Sequence, residues 1–209
     1  TDNAPNIDSL VSQGCTLIFT VGFALSAATL TAAEANPDIQ FALIDDAADA
    51  DFNGTPDFDN TKPIVFNTAQ AAFLAGYAAA SYSKSGIVAT WGGMNFPTVT
   101  IFMDGFAQGV AYYNQAMGKS VTVLGFDPAS PDTATMTGGF EANDVAKSTA
   151  QNFIDQGADV LLPVGGPIYQ SAVAAIADSG QDIALVGVDA DLFVTDPATG
   201  DIILTSILT

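Results

Sequence analysis

Two aspartates, Asp189 and Asp191, follow the apolar segment 183–188, which is predicted to be a buried strand. A carboxylate at a strand tip can accept hydrogen bonds from paired hydroxyl groups, such as those of a ribose. The same two residues could instead act as an acid and a base, or one of them could cap a helix. No nucleophilic residue accompanies them, so ligand binding and helix capping remain the two alternatives for these aspartates.

Aromatic residues lie in comparable places after two other predicted strands. Phe23 follows Gly22 directly behind the apolar run 16–21, and Tyr169 comes three residues after Gly166. An aromatic face can stack on a flat heterocycle or a sugar ring, so two such rings could enclose one ligand. Packing in the core is the ordinary alternative for Phe23.

Two glycine pairs also follow predicted strands. Gly165-Gly166-Pro167 precedes a predicted helix, where glycine lets the backbone approach a ligand and helix-start amides can donate hydrogen bonds. A tight turn with Pro167 in the first helical turn explains the same residues equally well. The second pair ends at Gly93 and precedes Met94, which together with Trp91 could either line a cleft or seal a lobe.

The segment 45–60 is rich in Asp, Asn and Gly, and its spacing resembles the first half of an EF-hand calcium loop. No glutamate closes this loop, and no helices flank it in the EF-hand manner. We therefore favour a solvated acidic loop and predict neither a metal ion nor a cofactor.

The composition disfavours several classes of protein. The chain has no histidine, which removes the Ser-His-Asp triad and histidine metal sites, and we predict that it is not an enzyme. Its 23 acidic residues against four lysines give a net charge of −19, which opposes binding to nucleic acid or to anionic lipid. The lone Cys15 can form no internal disulfide, and no apolar stretch is long enough to span a bilayer.

Short apolar runs alternate with helical periodicity along the chain, which is typical of βα units around a parallel sheet. The candidate ligand residues named above all follow predicted strands, and open α/β sheets bind ligands at the carboxyl ends of their strands. We predict two doubly wound α/β lobes, residues 1–94 and 95–209, with a ligand cleft between them. The second lobe would end at the start of a crossover back to the first.

Six segments, in order over nearly the whole chain, resemble the basic membrane protein family, the purine-nucleoside receptor lipoproteins that feed ABC transporters. They are LIFTVGF (17–23), AAFLAGY (71–77), WGGM (91–94), PTVTIFMDGF (97–106), DQGADV (155–160) and GVDAD (187–191).

This resemblance implies a type I periplasmic-binding-protein fold, and an extracytoplasmic, lipid-anchored receptor that delivers a nucleoside to a membrane permease. It also implies that Phe23 stacks on the base and that Asp189 holds the ribose hydroxyls. The residues expected to border the cleft are Gly22, Gly93, Met94, Gly166 and Tyr169.

The resemblance also implies family segments that lie outside this chain. Family members begin with a strand and a base-contacting loop, and they continue past Thr209 with a helix and a ribose-binding lysine. We therefore expect a fragment in which strands 16–21 and 39–44 are separated from the rest of their sheet by an unfilled gap, with the lipid anchor outside it. A ligand-sensing or sugar-binding module of the same fold is the alternative to a nucleoside receptor.

Overall fold

The computed structural model of the protein describes residues 3–208. Its helices are α1 (Asn3–Ser12), α2 (Ser26–Ala35), α3 (Thr68–Tyr82), α4 (Pro97–Met117), α5 (Asp144–Asp155), α6 (Ile168–Ser179) and the single turn α7 (Leu192–Thr195). Its strands are β1 (Leu17–Val21), β2 (Gln40–Ile44), β3 (Thr61–Ile64), β4 (Ile87–Gly92), β5 (Thr122–Leu124), β6 (Val160–Val164), β7 (Ala184–Asp189) and β8 (Ile203–Leu208). Short 3-10 helices cover Phe23–Leu25, Pro131–Thr133 and Pro197–Ile202.

The chain forms two compact units, one ending at Phe66 and the other beginning at Asn67. We call them the N-terminal unit and the C-terminal unit. The N-terminal unit holds a three-stranded sheet in the order β1-β2-β3, and the C-terminal unit holds a five-stranded sheet in the order β5-β4-β6-β7-β8. Every strand pair in both sheets is parallel. The predicted α/β class is therefore confirmed.

In the C-terminal unit, helices cover both faces of the sheet. All five residues of β6 are buried. Because side chains alternate between the two faces of a strand, Leu162 packs with α3 and α4, whereas Leu161 packs with α5 and α6. This three-layer arrangement explains why the central strands are apolar at nearly every position.

Helices α3 and α4 approach each other at the level of their backbones. A Cβ atom at Gly76 would collide with the backbone of Phe106, and one at Gly109 would collide with the backbone of Phe73. A Cβ atom at Gly105 would lie 2.6 Å from the carbonyl oxygen of Ala69. Three glycines therefore set how closely the two helices pack over β4 and β6.

Within residues 3–66 of the N-terminal unit, the helices cover one face of the sheet and not the other. Ile18 and Phe41 point toward α1 and α2 and are 2% and 1% exposed. On the opposite face, Leu17, Phe19 and Val21 are 53%, 59% and 64% exposed. Both faces of this sheet therefore carry apolar side chains, but only the side chains on one face are packed against helices.

The predicted gap in the N-terminal sheet is not present, and that prediction was wrong. β2 pairs with β1 along five residues and with β3 along four, from Phe41 opposite Thr61 to Ile44 opposite Ile64. The three strands are consecutive neighbours, so each finds its partner in the next strand of the chain. Among residues 3–208, the sheet has two open edges, one along β1 and one along β3.

The division between the units also differs from the expected one at residue 94. β4 was expected in the first lobe, but it pairs with β5 and β6 in the C-terminal sheet. The preceding helix, α3, packs on α4 and belongs to the same unit. The physical reason is that α3 and β4 bury their apolar surface against elements that follow them in the chain.

Candidate functional site

The carboxyl ends of β4 and β6 meet at one edge of the C-terminal sheet. The amide of Gly93 donates a hydrogen bond of 3.0 Å to the carbonyl of Val164, which joins the two strand ends. Gly93 and Gly165 are both buried, whereas Gly166 is exposed and has a φ of 46°. The two glycine pairs predicted from the sequence to follow strands are therefore brought together.

The ring of Phe140 lies against Gly93 and Gly165. A Cβ atom at Gly165 would lie 2.5 Å from Cδ1 of Phe140, and one at Gly93 would collide with the same ring. The ring of Phe140 stacks on that of Phe96, with centroids 6.4 Å apart and an interplanar angle of 19°. The glycines are thus needed to seat an aromatic side chain at the carboxyl edge of the sheet.

The loop between β5 and α5 positions Phe140. The amide of Thr137 donates to the carbonyl of Gly92 at 2.9 Å, and the amide of Gly138 donates to the carbonyl of Gly93 at 2.9 Å. The loop therefore runs along the end of β4. Sequence reasoning missed both Phe96 and Phe140, although the Gly138-Gly139-Phe140 run before a predicted helix was a usable signal.

Asp189 is the last residue of β7, the strand next to β6, and its side chain is exposed. Its φ of 67° lies in the left-handed region, which non-glycine residues rarely adopt. Such conformations persist where the surrounding fold imposes them, and they concentrate at functional sites. Asp191 differs, because its Oδ1 accepts a hydrogen bond of 3.0 Å from the amide of Phe193 and caps α7.

Tyr169 and Met94 flank the same edge. The Tyr169 hydroxyl donates a hydrogen bond of 2.9 Å to Oδ2 of Asp196. Burial raises the pKa of Tyr169, and the charge of Asp196 adds to this effect. Met94 follows the Gly92-Gly93 turn and is 40% exposed. Tyr169 is therefore held by a neighbour of its own unit, while the Met94 side chain is accessible to solvent.

Gly22 and Phe23 lie at the corresponding edge of the N-terminal sheet. The amide of Gly22 donates a hydrogen bond of 2.9 Å to the carbonyl of Ile44, which ties the end of β1 to the end of β2. Gly22 has a φ of 100°, and Phe23 begins the 3-10 helix that leads into α2. Phe23 is half-buried. The fold thus places an aromatic ring at the carboxyl edge of this sheet, as the sequence predicted.

Three carboxylates of the acidic loop, those of Asp49, Asp51 and Asp57, come within 4.8 Å of one another. Asp49 is only 8% exposed and accepts hydrogen bonds from the amides of Asn53 and Gly54 at 3.1 and 2.7 Å. Burial acts to raise the pKa of Asp49, but these backbone hydrogen bonds outweigh it and lower the pKa. The loop is thus tied together by internal hydrogen bonds, and its predicted role as an acidic loop without a metal ion stays a prediction.

All 209 residues match the family model for Bmp, the PnrA-like substrate-binding proteins of ABC transporters. The chain belongs to the Bmp family. The resemblance drawn from the six sequence segments is therefore confirmed.

Curated proteins of similar sequence agree with the Bmp assignment. Basic membrane protein B of Borreliella burgdorferi is 29% identical over 186 residues, which cover 89% of this chain and 50% of that protein. Basic membrane protein A1 of Borrelia garinii subsp. bavariensis is 26% identical over the same share of both chains. This Bmp chain spans about half the length of the curated relatives it matches.

Solved structures of similar fold agree as well. A solute-binding protein of an ABC transporter system from Aeropyrum pernix K1 is 27% identical, with a TM-score of 0.75 over 98% of this chain and 54% of that one. A transcriptional activator of the comK gene from Bacillus halodurans has a TM-score of 0.68 at 24% identity, over 97% of this chain and 61% of that one, a likeness of fold alone. The predicted type I periplasmic-binding-protein fold is thereby confirmed for this Bmp chain.

Within residues 3–208, no helix of the Bmp chain is both long and apolar enough to cross a membrane. The ligand-binding roles of the sequence-predicted residues stay predictions. These residues are Gly22, Phe23, Gly93, Met94, Gly166, Tyr169 and Asp189.

Proposed function

We propose that this chain is the ligand-binding part of an extracytoplasmic receptor that delivers a purine nucleoside to an ABC importer. The match of the whole chain to a family of ABC transporter substrate-binding proteins carries this proposal. Delivery requires a membrane permease as the partner and no chemical change in the ligand. We place the receptor on the outer side of the cytoplasmic membrane, held there by a lipid anchor.

The strand ends of both units support a nucleoside as the ligand. The N-terminal unit presents Phe23, whose ring can stack on a purine base. The C-terminal unit presents Asp189, an exposed carboxylate that can accept hydrogen bonds from ribose hydroxyls. The aromatic pair Phe96 and Phe140 at the same edge offers a second apolar surface for a flat ring.

The distribution of charge favours a nucleoside over a nucleotide. The chain has no arginine, and none of its four lysines directly follows a strand. A phosphate group would therefore meet carboxylates without a compensating cation. We expect adenosine, guanosine or inosine to bind more tightly than the corresponding monophosphates.

Ligand-induced thermal shifts and calorimetry with these nucleosides test the proposal. We expect a rise in Tm with at least one nucleoside and none with its monophosphate at equal concentration. Asp189→Asn, which keeps a side chain tolerant of positive φ, should weaken nucleoside binding by about tenfold or more. Asp191→Ser is the matched control, because it keeps an acceptor that can cap α7 and should change the affinity by less than about threefold.

The same experiment tests the alternative ligands and catalysis. A rise in Tm with ribose or another sugar, and with no nucleoside, would replace the nucleoside receptor with a sugar-binding or sensory module. Chromatography of inosine after overnight incubation should recover it intact. Release of free hypoxanthine would instead establish an enzyme.

A further inference from the structure

Two adjacent carboxylates follow β2 at the carboxyl edge of the N-terminal sheet, and they have very different surroundings. Asp46 accepts hydrogen bonds of 2.8 Å from the hydroxyl of Ser26 and of 2.8 Å from the amide of Ala48. These bonds tie the start of α2 to the turn after β2. The carboxylate of Asp46 therefore has a structural role in the local fold.

The carboxylate of Asp45 has no comparable structural role. The amide of Asp45 donates to the carbonyl of Ile64 at 2.9 Å, but no hydrogen bond or ion pair reaches its carboxylate from residues 3–208. The side chain is only partly exposed. A half-buried carboxylate without a hydrogen-bond donor is unfavourable, because burial removes water that the charge would otherwise bind. Burial raises the pKa of Asp45 accordingly, and the charge of Asp46 raises it further.

The backbone of Asp45 adds to this unfavourable state. Its φ is 67°, in the left-handed region. Aspartate usually tolerates this region by bonding its side chain to nearby backbone. Asp45 makes no such bond, so the fold holds it in place against its local preference.

Asp45 shares its place and conformation with Asp189 of the other unit. Asp45 directly follows β2, Asp189 is the last residue of β7, and each has a φ of 67°. Asp45 also lies beside Gly22, because the amide of Gly22 donates to the carbonyl of Ile44. The residue therefore belongs to the same sheet edge as Phe23.

We propose that Asp45 is a ligand-binding residue, whose carboxylate accepts a hydrogen bond from an N–H or O–H group of the nucleoside. This inference rests on the proposed function and names a specificity-determining residue for it. A hydrogen-bond donor on the ligand would give the Asp45 carboxylate a partner that residues 3–208 do not provide. The same carboxylate would disfavour a ligand that presents a phosphate or another acceptor at this place.

Three variants of the purified protein test the proposal by calorimetry and thermal unfolding. Asp45→Gly suits the positive φ and removes the carboxylate, so it should weaken binding of the nucleoside roughly ten- to hundredfold. The same variant should raise the Tm of the ligand-free protein by about 2–4 °C, because backbone strain and a half-buried charge without a hydrogen-bond donor are removed. Asp45→Asn should likewise weaken binding without lowering the Tm.

Asp46→Asn is the matched control. It removes one negative charge beside Asp45 but keeps an oxygen that can accept from Ser26 and Ala48. Its affinity for the nucleoside should stay within about threefold of that of the unaltered protein. Unaltered affinity in both Asp45 variants would overturn the inference while leaving the nucleoside receptor intact.

The Tm of the ligand-free protein separates the two proposals. If the unaltered protein binds no nucleoside, the proposed function fails and the nucleoside contact fails with it. A Tm that falls in Asp45→Gly would show that Asp45 stabilises the fold, and would overturn the inference whatever the ligand. A Tm that rises together with weakened binding supports it.

Discussion

The two sheets of this protein are built from the same βα units but are covered differently. In the C-terminal unit, α3 and α4 lie on one face and α5 and α6 on the other. In the N-terminal unit, α1 and α2 cover one face, and Leu17, Phe19 and Val21 on the other face are more than half exposed. Parallel sheets depend on coverage of both faces. We therefore infer that the C-terminal unit supplies most of the stability of the chain.

Both units nevertheless place their candidate ligand residues in the same way. The strand ends that carry Phe23, Asp45 and Asp189 are fixed by backbone pairing within each sheet. Face coverage therefore governs stability, whereas strand pairing governs the position of the site. The predictions below test this separation, from the largest expected effect to the smallest.

The close contact of α3 with α4 should be the most sensitive feature of the C-terminal unit. Gly76→Ala and Gly109→Ala each place a methyl group 2.0 Å from a backbone carbonyl oxygen of the facing helix, so each should lower the free energy of unfolding by about 3–5 kcal/mol, above the usual range for overpacking. Urea unfolding followed by circular dichroism measures this. Gly139→Ala is the control, because nothing lies within 4 Å of its Cβ position. Unaltered stability in the helix variants would show that the helices can move apart freely.

Truncation of a buried leucine to alanine should destabilise the protein by different amounts in the two sheets. Leu162 and Leu43 are both 0% exposed. Leu162→Ala should destabilise the protein by about 3–5 kcal/mol, because its surroundings are packed on all sides. Leu43→Ala should have a smaller effect of about 2 kcal/mol, because the smaller core of its unit can collapse into the cavity. Equal losses in urea unfolding would contradict the inferred difference between the units.

Polar substitution on the uncovered face of the N-terminal sheet should be harmless. Phe19→Ser removes a side chain that is 59% exposed, so the free energy of unfolding should change by no more than about 0.5 kcal/mol. Phe41→Ser, on the covered face of the neighbouring strand, should unfold this unit. Hydrogen exchange of the β1 and β2 amides distinguishes the two variants. A large loss in Phe19→Ser would reveal that something covers this face in solution.

The ion pair between Lys84 and Asp182 should contribute least. The two side chains lie 2.8 Å apart, but they are 73% and 80% exposed, so water and salt screen their attraction. Lys84→Met should leave the Tm unchanged within measurement error. Asp159→Ala is the contrasting variant, because this carboxylate accepts hydrogen bonds from Ser83, Lys84 and Ser85. Its Tm should fall, and a fall in Lys84→Met of the same size would contradict this ranking.

The regular elements were largely predictable from the sequence, because their boundaries have local causes. The spacing of apolar residues predicts helices over 68–82 and 97–117, which are the observed bounds of α3 and α4. The apolar residues Val65 and Phe66 predict a strand over 63–66, but β3 begins and ends two residues earlier. Its bounds are instead set by its register with β2, and Val65 is 64% exposed beyond the strand.

Features that depend on tertiary contacts were not predictable. Alternating βα units have the same periodicity whichever sheet they join, so nothing local assigned β4 to the C-terminal sheet. Phe140 was missed because its position is fixed by hydrogen bonds from its loop to the end of β4. From the sequence, Asp45 is only the first residue of the acidic loop 45–60, since the surroundings of its carboxylate are visible only once its neighbours are placed.

The single tryptophan of the chain lies in β4, with its ring centroid 5.4 Å from that of Phe153. Trp91 is fully buried, and its indole N–H has no hydrogen-bond partner among residues 3–208. Such a dry environment shifts indole fluorescence toward short wavelengths. Tryptophan emission will therefore report the unfolding of the C-terminal unit alone, whereas circular dichroism reports both units. The difference between the two melting curves isolates the N-terminal unit without any label.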